Sequence, residues 1–244
     1  MIHETTCDLP ALKPTREIMG VHLDGVHPNI PNRGGFVYSL VGAPGSGKTS
    51  MLLSFFKGRT GKSYYRGKFD NIYLITPEAS FLSVVDHPFQ AHDKVYHDLT
   101  PELLTDIYNE MLQLKKEALE AGEPVEKSLL IIDDFANDLK DDAIIKSLKK
   151  IIVKSRHLGL ATIFTLQSYN LFPLVLRKML TNVTVFQFRN NKEMQLLTEE
   201  LLHIPKHKVT QLFEYVFDAE YNHLDIDIVG NHFYKNFNLL TIDP

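Results

Sequence analysis

The sequence contains one cysteine, Cys7, in 244 residues, and it has no long apolar segment. A single cysteine excludes an internal disulfide framework and a cysteine-rich zinc site, which is typical of proteins from a reducing compartment. No apolar run approaches the ~20 residues that span a bilayer, and residues 1–10 lack the basic and apolar segments of a secretory signal. These absences predict a soluble, intracellular protein.

The chain also lacks an excess of positive charge. Its 26 lysines and arginines are outnumbered by 30 aspartates and glutamates, and the formal net charge is −4. Bulk basicity therefore gives no indication of a nucleic-acid partner, and any DNA-binding surface must be a local concentration of cations. The length is sufficient for one sizeable α/β domain with a well-buried core.

A glycine-rich segment, Tyr38–Thr49 (YSLVGAPGSGKT), matches the pattern GxxxxGK[ST] in full, between a strand-like and a helix-like apolar run. Its glycines permit a tight turn whose N–H groups face phosphates, and the helix that begins after the turn adds its positive dipole end. We expect Lys48 to contact the β- and γ-phosphates and the Thr49 hydroxyl to bind magnesium. The predicted nucleotide-binding residues are Gly42, Ala43, Pro44, Gly45, Ser46, Gly47, Lys48, Thr49 and Ser50.

Strand and helix patterns alternate along the rest of the chain. Apolar, β-branched runs predict four further strands, at residues 71–76, 128–132, 160–166 and 183–188. Apolar residues at helical spacing predict two long helices, at residues 100–122 and 144–154. Because parallel strands need crossover connections, this alternation predicts an α/β fold with a mainly parallel sheet flanked by helices. Residues 223–237 predict a closing β-hairpin.

The first 35 residues differ in composition from the rest of the chain. They contain four prolines and end in two glycines, which predicts an extended N-terminal arm of the kind that often packs on a neighbouring subunit. Residues 36–244 are predicted to form a single domain.

Polar residues stand at the carboxyl ends of the predicted strands, where open α/β sheets bind their ligands. Asp133 follows the run LLII, and we expect it to hold magnesium directly or through water. Asp134 has the position of a residue that polarises an attacking water, and Gln167 that of a sensor of the γ-phosphate. Each aspartate has a competing interpretation as the cap of the next turn.

Arg156 is the best candidate for an arginine finger, a cation supplied to the nucleotide site of a neighbouring subunit. The competing interpretation is the solvated end of a basic helix, and Arg177 and Arg189 compete for the role. The spacings of the eleven histidines suggest no metal site and indicate surface or packing roles, with a weak site as the competing interpretation for three that lie close in sequence: His87, His92 and His97.

The segments GAPGSGKT, LLIIDD and SRHLGLATIFTLQSYN closely resemble the three motifs of the FtsK–HerA superfamily of P-loop ATPases. The combination resembles most the genome-packaging ATPases of large double-stranded DNA viruses, of the poxvirus type, and of virophages. The resemblance covers residues 29–190. It implies a RecA-like (ASCE) P-loop NTPase fold in which the strand of Gln167 lies between the P-loop strand and the strand of Asp133. Cellular members usually carry glutamate at the position of Asp134.

The resemblance implies an ATPase that hydrolyses ATP with Mg²⁺ and drives viral double-stranded DNA into a preformed capsid. It implies catalytic roles for Lys48, Asp134, Gln167 and Arg156 and metal binding by Thr49 and Asp133. The implied partners are double-stranded DNA, further copies of the chain in a ring of five or six subunits, and a capsid protein, but no membrane. The implied location is the host-cell cytoplasm, a viral factory or the virion.

Two other functions share the P-loop. A small-molecule kinase would need an arginine-rich lid, for which Arg177 and Lys178 are thin support. A non-enzymatic virion scaffold with a vestigial site is disfavoured because every part of the nucleotide motif is present. A GTPase is excluded, since the segment Asn191–Met194 lacks the aspartate of the guanine-reading motif.

One stretch concentrates positive charge, Lys57–Lys68, which holds five cations together with Tyr64 and Tyr65. In a ring, one such segment from each subunit would surround the channel, so we expect it to contact DNA phosphates while the tyrosines press on the backbone. A solvated surface loop is the competing interpretation. The rival DNA surface is the helix bearing four lysines: Lys146, Lys149, Lys150 and Lys154.

Overall fold

A computed structural model describes residues 22–57, 64–187 and 190–242. Its strands form one nine-stranded sheet in the order β3-β2-β4-β5-β1-β6-β7-β8-β9. The strands are β1 (Val37–Val41), β2 (Asn71–Ile75), β3 (Val95–Tyr96), β4 (Ser128–Asp133), β5 (Leu160–Leu166), β6 (Asn182–Phe186), β7 (His223–Asp227), β8 (His232–Lys235) and β9 (Asn238–Leu240). The pairings from β3 to β6 are parallel and those from β6 to β9 are antiparallel.

Helices connect the parallel strands, as crossover connections require. The α-helices are α1 (Lys48–Lys57), α2 (Glu78–Leu82), α3 (Pro101–Ala121), α4 (Asp142–Val153), α5 (Leu174–Arg177), α6 (Asn191–Leu197) and α7 (Lys206–Val216), and a π-helical turn, Thr198–Leu202, comes directly after α6. The longest, α3, begins as predicted, because the Thr100 side chain accepts a hydrogen bond from the Leu103 N–H, and Gly122 ends it in a left-handed conformation. None of the described helices is both long and apolar enough to cross a bilayer.

The predicted fold class is confirmed, with an apolar core on each face of the sheet. Strands β4 and β5 are buried along their whole length, which explains why their sequences read as continuous apolar runs instead of alternating ones. The last parallel strand ends at Phe186, two residues before the predicted end, and the short strand β3 at the sheet edge was not predicted.

The C-terminal hairpin is also confirmed, and it extends the main sheet through pairing of β7 with β6. The turn at Gly230 and Asn231 places Asn231 at φ 52°, a left-handed conformation that asparagine tolerates. A third antiparallel strand, β9, comes directly after β8, so the hairpin is part of a three-stranded meander. The sequence analysis missed β9 because its three residues are mostly exposed.

Within the predicted N-terminal arm, residues 22–35 fold in turns against the chain's own core. His22 and Arg33 form an isolated bridge, and the side chains of Leu23, Val26 and Ile30 are buried in the same cluster as α1. Residues 1–21 lie outside the described part of the chain, so the division into an arm and a domain at residue 35 stays a prediction.

Candidate functional site

The P-loop joins β1 to α1 and is held at both ends by backbone hydrogen bonds. The Gly42 N–H donates to the Leu166 carbonyl of β5 at 3.0 Å, and the Met51 N–H donates to the Gly47 carbonyl at 2.8 Å. Gly45 and Gly47 have φ of 78° and 100°, a region that side chains rarely adopt. The turn therefore depends on glycine at these two positions.

Lys48 begins α1 and folds back on the loop. Its Nζ donates to the carbonyls of Gly42, at 2.6 Å, and Ala43, at 3.1 Å. Burial lowers the pKa of the Lys48 ammonium, while the negative charges of Asp134 and Asp133 act in the opposite direction. The P-loop cation is therefore near enough to both aspartates for their charges to act on it.

Asp133 ends β4 and is buried, with 5% of its surface exposed. Its Oδ1 accepts a hydrogen bond from the Thr165 hydroxyl at 2.6 Å, and its Oδ2 accepts one from the Thr76 hydroxyl at 3.0 Å. Burial raises the pKa of this carboxyl, and the two hydroxyl donors lower it. These bonds lead to residues at the ends of the adjacent strands and fix the orientation of the carboxylate.

Asp134, the next residue, is exposed and has a left-handed φ of 60°. Its backbone N–H donates to the Thr165 hydroxyl at 3.0 Å, and its Oδ1 accepts a hydrogen bond from the Gln167 Nε2 at 2.8 Å. The strained backbone turns this side chain away from the buried position of Asp133. Asp134 and Gln167 therefore form an exposed pair beside the P-loop.

The strand order brings these groups together. Strand β5 lies between β1 and β4, with Thr165 opposite Asp133 and Leu166 opposite Val41. This order is the one that the family resemblance implied, and it is confirmed. The P-loop, the two aspartates and Gln167 consequently share one edge of the sheet.

The three candidate arginines have different positions. Arg156 is exposed and packs against Gly35, at the amino end of β1 and hence at the edge opposite the P-loop. Arg177 forms an ion pair with Glu200 at 3.4 Å and lies over the Tyr169 ring. Arg189 lies outside the described residues. The assignment of Arg156 as the finger stays a prediction, and the length of β1 separates this residue from the P-loop of its own chain.

The prediction that Tyr65 contacts DNA is wrong. This side chain is fully buried, stacks on Phe36 with ring centroids 5.7 Å apart, and donates its hydroxyl to the Pro31 carbonyl at 2.7 Å. The sequence could not distinguish it from Tyr64, because only packing decides which of two adjacent tyrosines faces the core. Residues 58–63 of the basic stretch, which include Arg59 and Lys62, lie outside the described part of the chain.

Two lysines of each basic surface contact their own chain. Lys57 and Lys68 donate to the carbonyls of Val85 and Asp24. In α4, Lys150 and Lys154 lie over the ring of Tyr108, with Nζ at 4.1 and 5.4 Å from its centroid. DNA binding by either surface stays a prediction.

The three histidines that lie close in sequence have packing contacts in the fold. The described residues contain no cluster of three or more histidine, cysteine or acidic side chains arranged to hold a metal ion. The His87 Nδ1 accepts the Phe89 N–H at 3.2 Å, and the rings of His87 and His92 pack against phenylalanines. They are packing residues.

The sequence analysis missed several residues around the site. Thr76 and Thr165 were overlooked, although each stands at or beside the polar end of an apolar strand, which is the rule that identified Asp133 and Gln167.

An open cleft of about 550 Å³ also lies beside the P-loop and the start of α1. Its other wall consists of Phe186, Tyr221 and His223. These three residues belong to no nucleotide motif, so no sequence signal pointed to them.

The site and the strand order define the class of the protein. A P-loop lysine, a pair of aspartates and an additional strand between their two strands are the features of a P-loop NTPase of the RecA-like type. The chain belongs to the family of the poxvirus A32 protein, whose family model matches residues 31–240. Among curated proteins, none matches the chain in sequence.

Three solved structures share the fold. The DNA-packaging ATPase B204 of Sulfolobus turreted icosahedral virus has a TM-score of 0.52 and 17% identity, over 86% of this chain and 99% of its own. The genome packaging NTPase B204 of Sulfolobus turreted icosahedral virus 2, in complex with ATP-gammaS, has a TM-score of 0.55 and 16% identity, over 84% of this chain and 98% of its own. EssC (ATPases 2 and 3) of Geobacillus thermodenitrificans has a TM-score of 0.58 and 18% identity, over 86% of this chain and 41% of its own. At these identities, the likeness concerns the fold alone.

Proposed function

We propose that this chain is a Mg²⁺-dependent ATPase that translocates viral double-stranded DNA into a preformed capsid. The observation that carries the proposal is the convergence of Lys48, Asp133, Asp134 and Gln167 on one edge of the sheet, in a chain of the poxvirus A32 family. The B204 structures support it, because proteins of the same fold are described as DNA-packaging ATPases and one of them is in complex with ATP-gammaS.

The residues of the site fit the proposed chemistry. Thr49 and Asp133 offer a hydroxyl and a fixed carboxylate, the oxygen ligands that Mg²⁺ prefers, and the bound ion would neutralise charge on the β- and γ-phosphates. Lys48 would exchange its two carbonyl partners for phosphate oxygens. Gln167 would position the attacking water near the γ-phosphate, and Asp134 would accept its proton as the bond between the γ-phosphorus and the bridging oxygen breaks. The products are ADP and phosphate.

Both alternatives are less well supported by the same contacts. A small-molecule kinase would use a mobile, cationic lid, whereas the partly buried Arg177 is paired with Glu200. A scaffold with a vestigial site would have no use for the carboxylate of Asp133, which two hydroxyl groups hold in a fixed orientation at the strand end beside the P-loop.

We also propose the partners of this ATPase. A ring of five or six copies, with DNA in its channel and a capsid protein at one end, would give Arg156 a neighbouring site to complete. Such a ring would multiply any local basic surface, so an acidic chain still holds DNA. Its place of action would be the cytoplasm or viral factory of an infected cell, or the virion.

The proposal is tested by ATP turnover of the purified protein, with and without Mg²⁺ and with and without duplex DNA. We expect turnover that requires Mg²⁺ and increases with DNA. Lys48→Ala should abolish it, because this change removes the cation from the phosphate cradle. Lys116→Ala, which changes an exposed lysine of α3 far along the chain from both basic surfaces, is the matched control and should keep turnover. Full turnover in Lys48→Ala, or transfer of phosphate to a small-molecule hydroxyl instead of water, would refute the proposal.

A further inference from the structure

The cleft beside the P-loop has a wall that the hydrolytic chemistry does not use. Asp133 and Gln167 lie at the ends of β4 and β5, on one side of the P-loop strand β1. Phe186 ends β6 on the other side of β1, and Tyr221 and His223 lie where the chain enters β7. The P-loop therefore has polar residues on one flank and three aromatic rings on the other.

This asymmetry fixes the direction of a bound nucleotide. If the γ-phosphate faces Asp134 and Gln167, the triphosphate runs along the loop and its α-phosphate points to the opposite flank. The cleft there is lined by the first turn of α1, including Thr49 and Ser50, and by the aromatic wall. The nucleoside end of the substrate must then leave the P-loop beside these three rings.

Tyr221 is the most accessible ring of this wall. It is 60% exposed, and its Cδ1 lies 3.4 Å from the position that a Cβ on Gly47 would take. Its backbone has φ 66°, an unusual conformation for an aromatic residue. The next residue, Asn222, fixes this conformation, because its side chain donates to Asp218 and accepts from Asn236. Tyr221 is thus an exposed ring on a restrained loop.

The other two rings form the base of the same wall. Phe186 and His223 are packed with centroids 5.4 Å apart, and the ring of His223 also contacts Phe237 at 5.2 Å. Burial lowers the pKa of His223, which disfavours the charged form of its imidazole. A flat, uncharged surface next to a phosphate cradle suits a nucleobase.

We propose that the base of the bound nucleoside triphosphate stacks on Tyr221, with Phe186 and His223 beneath it. The inference rests on the proposed function, since it assumes that the P-loop binds a nucleoside triphosphate. Stacking uses the π-face, which every base has, and larger bases gain more contact. Tyr221 is therefore a binding residue that favours purine over pyrimidine nucleotides with little discrimination between adenine and guanine.

The test compares a ligand with a base to one without it. We would measure dissociation constants of ATP-gammaS and of inorganic tripolyphosphate, each with Mg²⁺, for the wild type, Tyr221→Ala and Tyr221→Phe. In Tyr221→Ala we expect the constant for ATP-gammaS to rise about tenfold or more, because one aromatic stacking contact is lost. The constant for tripolyphosphate should change by less than about twofold, and Tyr221→Phe should resemble the wild type, since both keep a ring.

Each other outcome is decisive. Equal weakening of both ligands in Tyr221→Ala would show that the residue positions the P-loop, and unchanged binding of both would show that the base lies elsewhere. Either result overturns this inference while the proposed ATPase function stands. A wild-type protein that binds neither ligand would overturn the proposed function as well. Thermal unfolding without ligand checks the fold of the variants, and alanine keeps the Cβ and hence the backbone strain of Tyr221.

Discussion

The Thr165 hydroxyl is the smallest feature on which the site depends. It donates to Asp133 and accepts the backbone N–H of Asp134, so one oxygen atom orients both aspartates. The sequence was sufficient to place Asp133, Asp134 and Gln167 at one sheet edge, because ligand-facing residues follow the carboxyl ends of strands. The same rule would have placed Thr165 near this edge, but the pairing of its hydroxyl with Asp133 depends on the register of β4 against β5, which the sequence does not contain.

We predict that Asp134 and Asp133 fail in different ways when each is changed to asparagine. Asp134→Asn should still bind ATP and Mg²⁺ but hydrolyse more slowly, by a factor of about 10² or more, because a general base is lost. Asp133→Asn should instead lose Mg²⁺-dependent turnover. Single-turnover hydrolysis and nucleotide binding, measured over a range of Mg²⁺ concentrations, separate the two effects. Unchanged turnover in Asp134→Asn would remove this residue from the catalytic set.

At the scale of elements, the antiparallel meander is joined to the parallel sheet by a chain of buried polar groups. The Tyr38 hydroxyl of β1 contacts the Thr184 hydroxyl of β6 at 2.6 Å, and Thr184 contacts the carboxyl of Asp225 in β7. The Phe237 N–H donates to the same carboxyl at 2.8 Å. The pattern of residues 223–237 predicted the hairpin but gave no sign that Asp225 is buried. Asp225 is buried because the aromatic cluster around Phe55 and Phe237 covers that face.

We predict a measurable pH dependence of stability from this carboxyl. Burial raises the pKa of Asp225 to about 8, from an unfolded value of 3.8. The folded state therefore binds this proton more tightly, and its contribution to the free energy of unfolding is complete below pH 4 and is lost as the pH rises to 8. Relative to Asp225→Asn, the wild type should lose stability between pH 5 and pH 8, by on the order of a few kcal/mol.

Urea unfolding of the two proteins at several pH values measures this difference. Asparagine suits the comparison, because its amide can donate to Thr184 while its carbonyl accepts from Phe237. His223 lies 3.5 Å from the carboxyl, and burial lowers its pKa. This histidine therefore decreases the free energy of unfolding as the pH falls below 6.5, which is the opposite effect, but it is present in both proteins. Parallel stability profiles for the wild type and Asp225→Asn would show that Asp225 is ionised in the fold.

At the scale of the whole molecule, different residues lie at the two ends of the parallel strands, which we call the carboxyl edge and the amino edge of the sheet. The carboxyl edge carries the P-loop and the proposed nucleotide site, and the amino edge carries Arg156 beside Gly35. They are separated by the length of β1, whose five residues rise roughly 3.3 Å each. The sequence indicated this separation, because Arg156 precedes a strand and the site lies after one. The sequence contains no information on how copies are arranged in a ring, because the contacts between copies do not form within a single chain.

The separation leads to a prediction about mixed assemblies. Arg156 cannot reach its own nucleotide, so a catalytic role requires a neighbouring subunit, and arginine fingers contribute on the order of 10³–10⁵ in rate. Lys48→Ala keeps the finger but loses the site, while Arg156→Ala keeps the site but loses the finger. Each should be inactive alone. Mixed rings should regain ATP turnover, because the Arg156 of a Lys48→Ala subunit completes the site of an adjacent Arg156→Ala subunit.

Turnover of the mixture, measured after both variants are shown to form the same oligomer, decides between the roles. A ring that mixes Lys48→Ala with the double variant Lys48→Ala/Arg156→Ala is the control, since it contains no intact site and should stay inactive. If Arg156→Ala hydrolyses ATP normally as an oligomer, the finger must be Arg177 or Arg189. An inactive Arg156→Ala that no mixture rescues would mean that Arg156 supports the fold around Gly35 and never enters a neighbour's site.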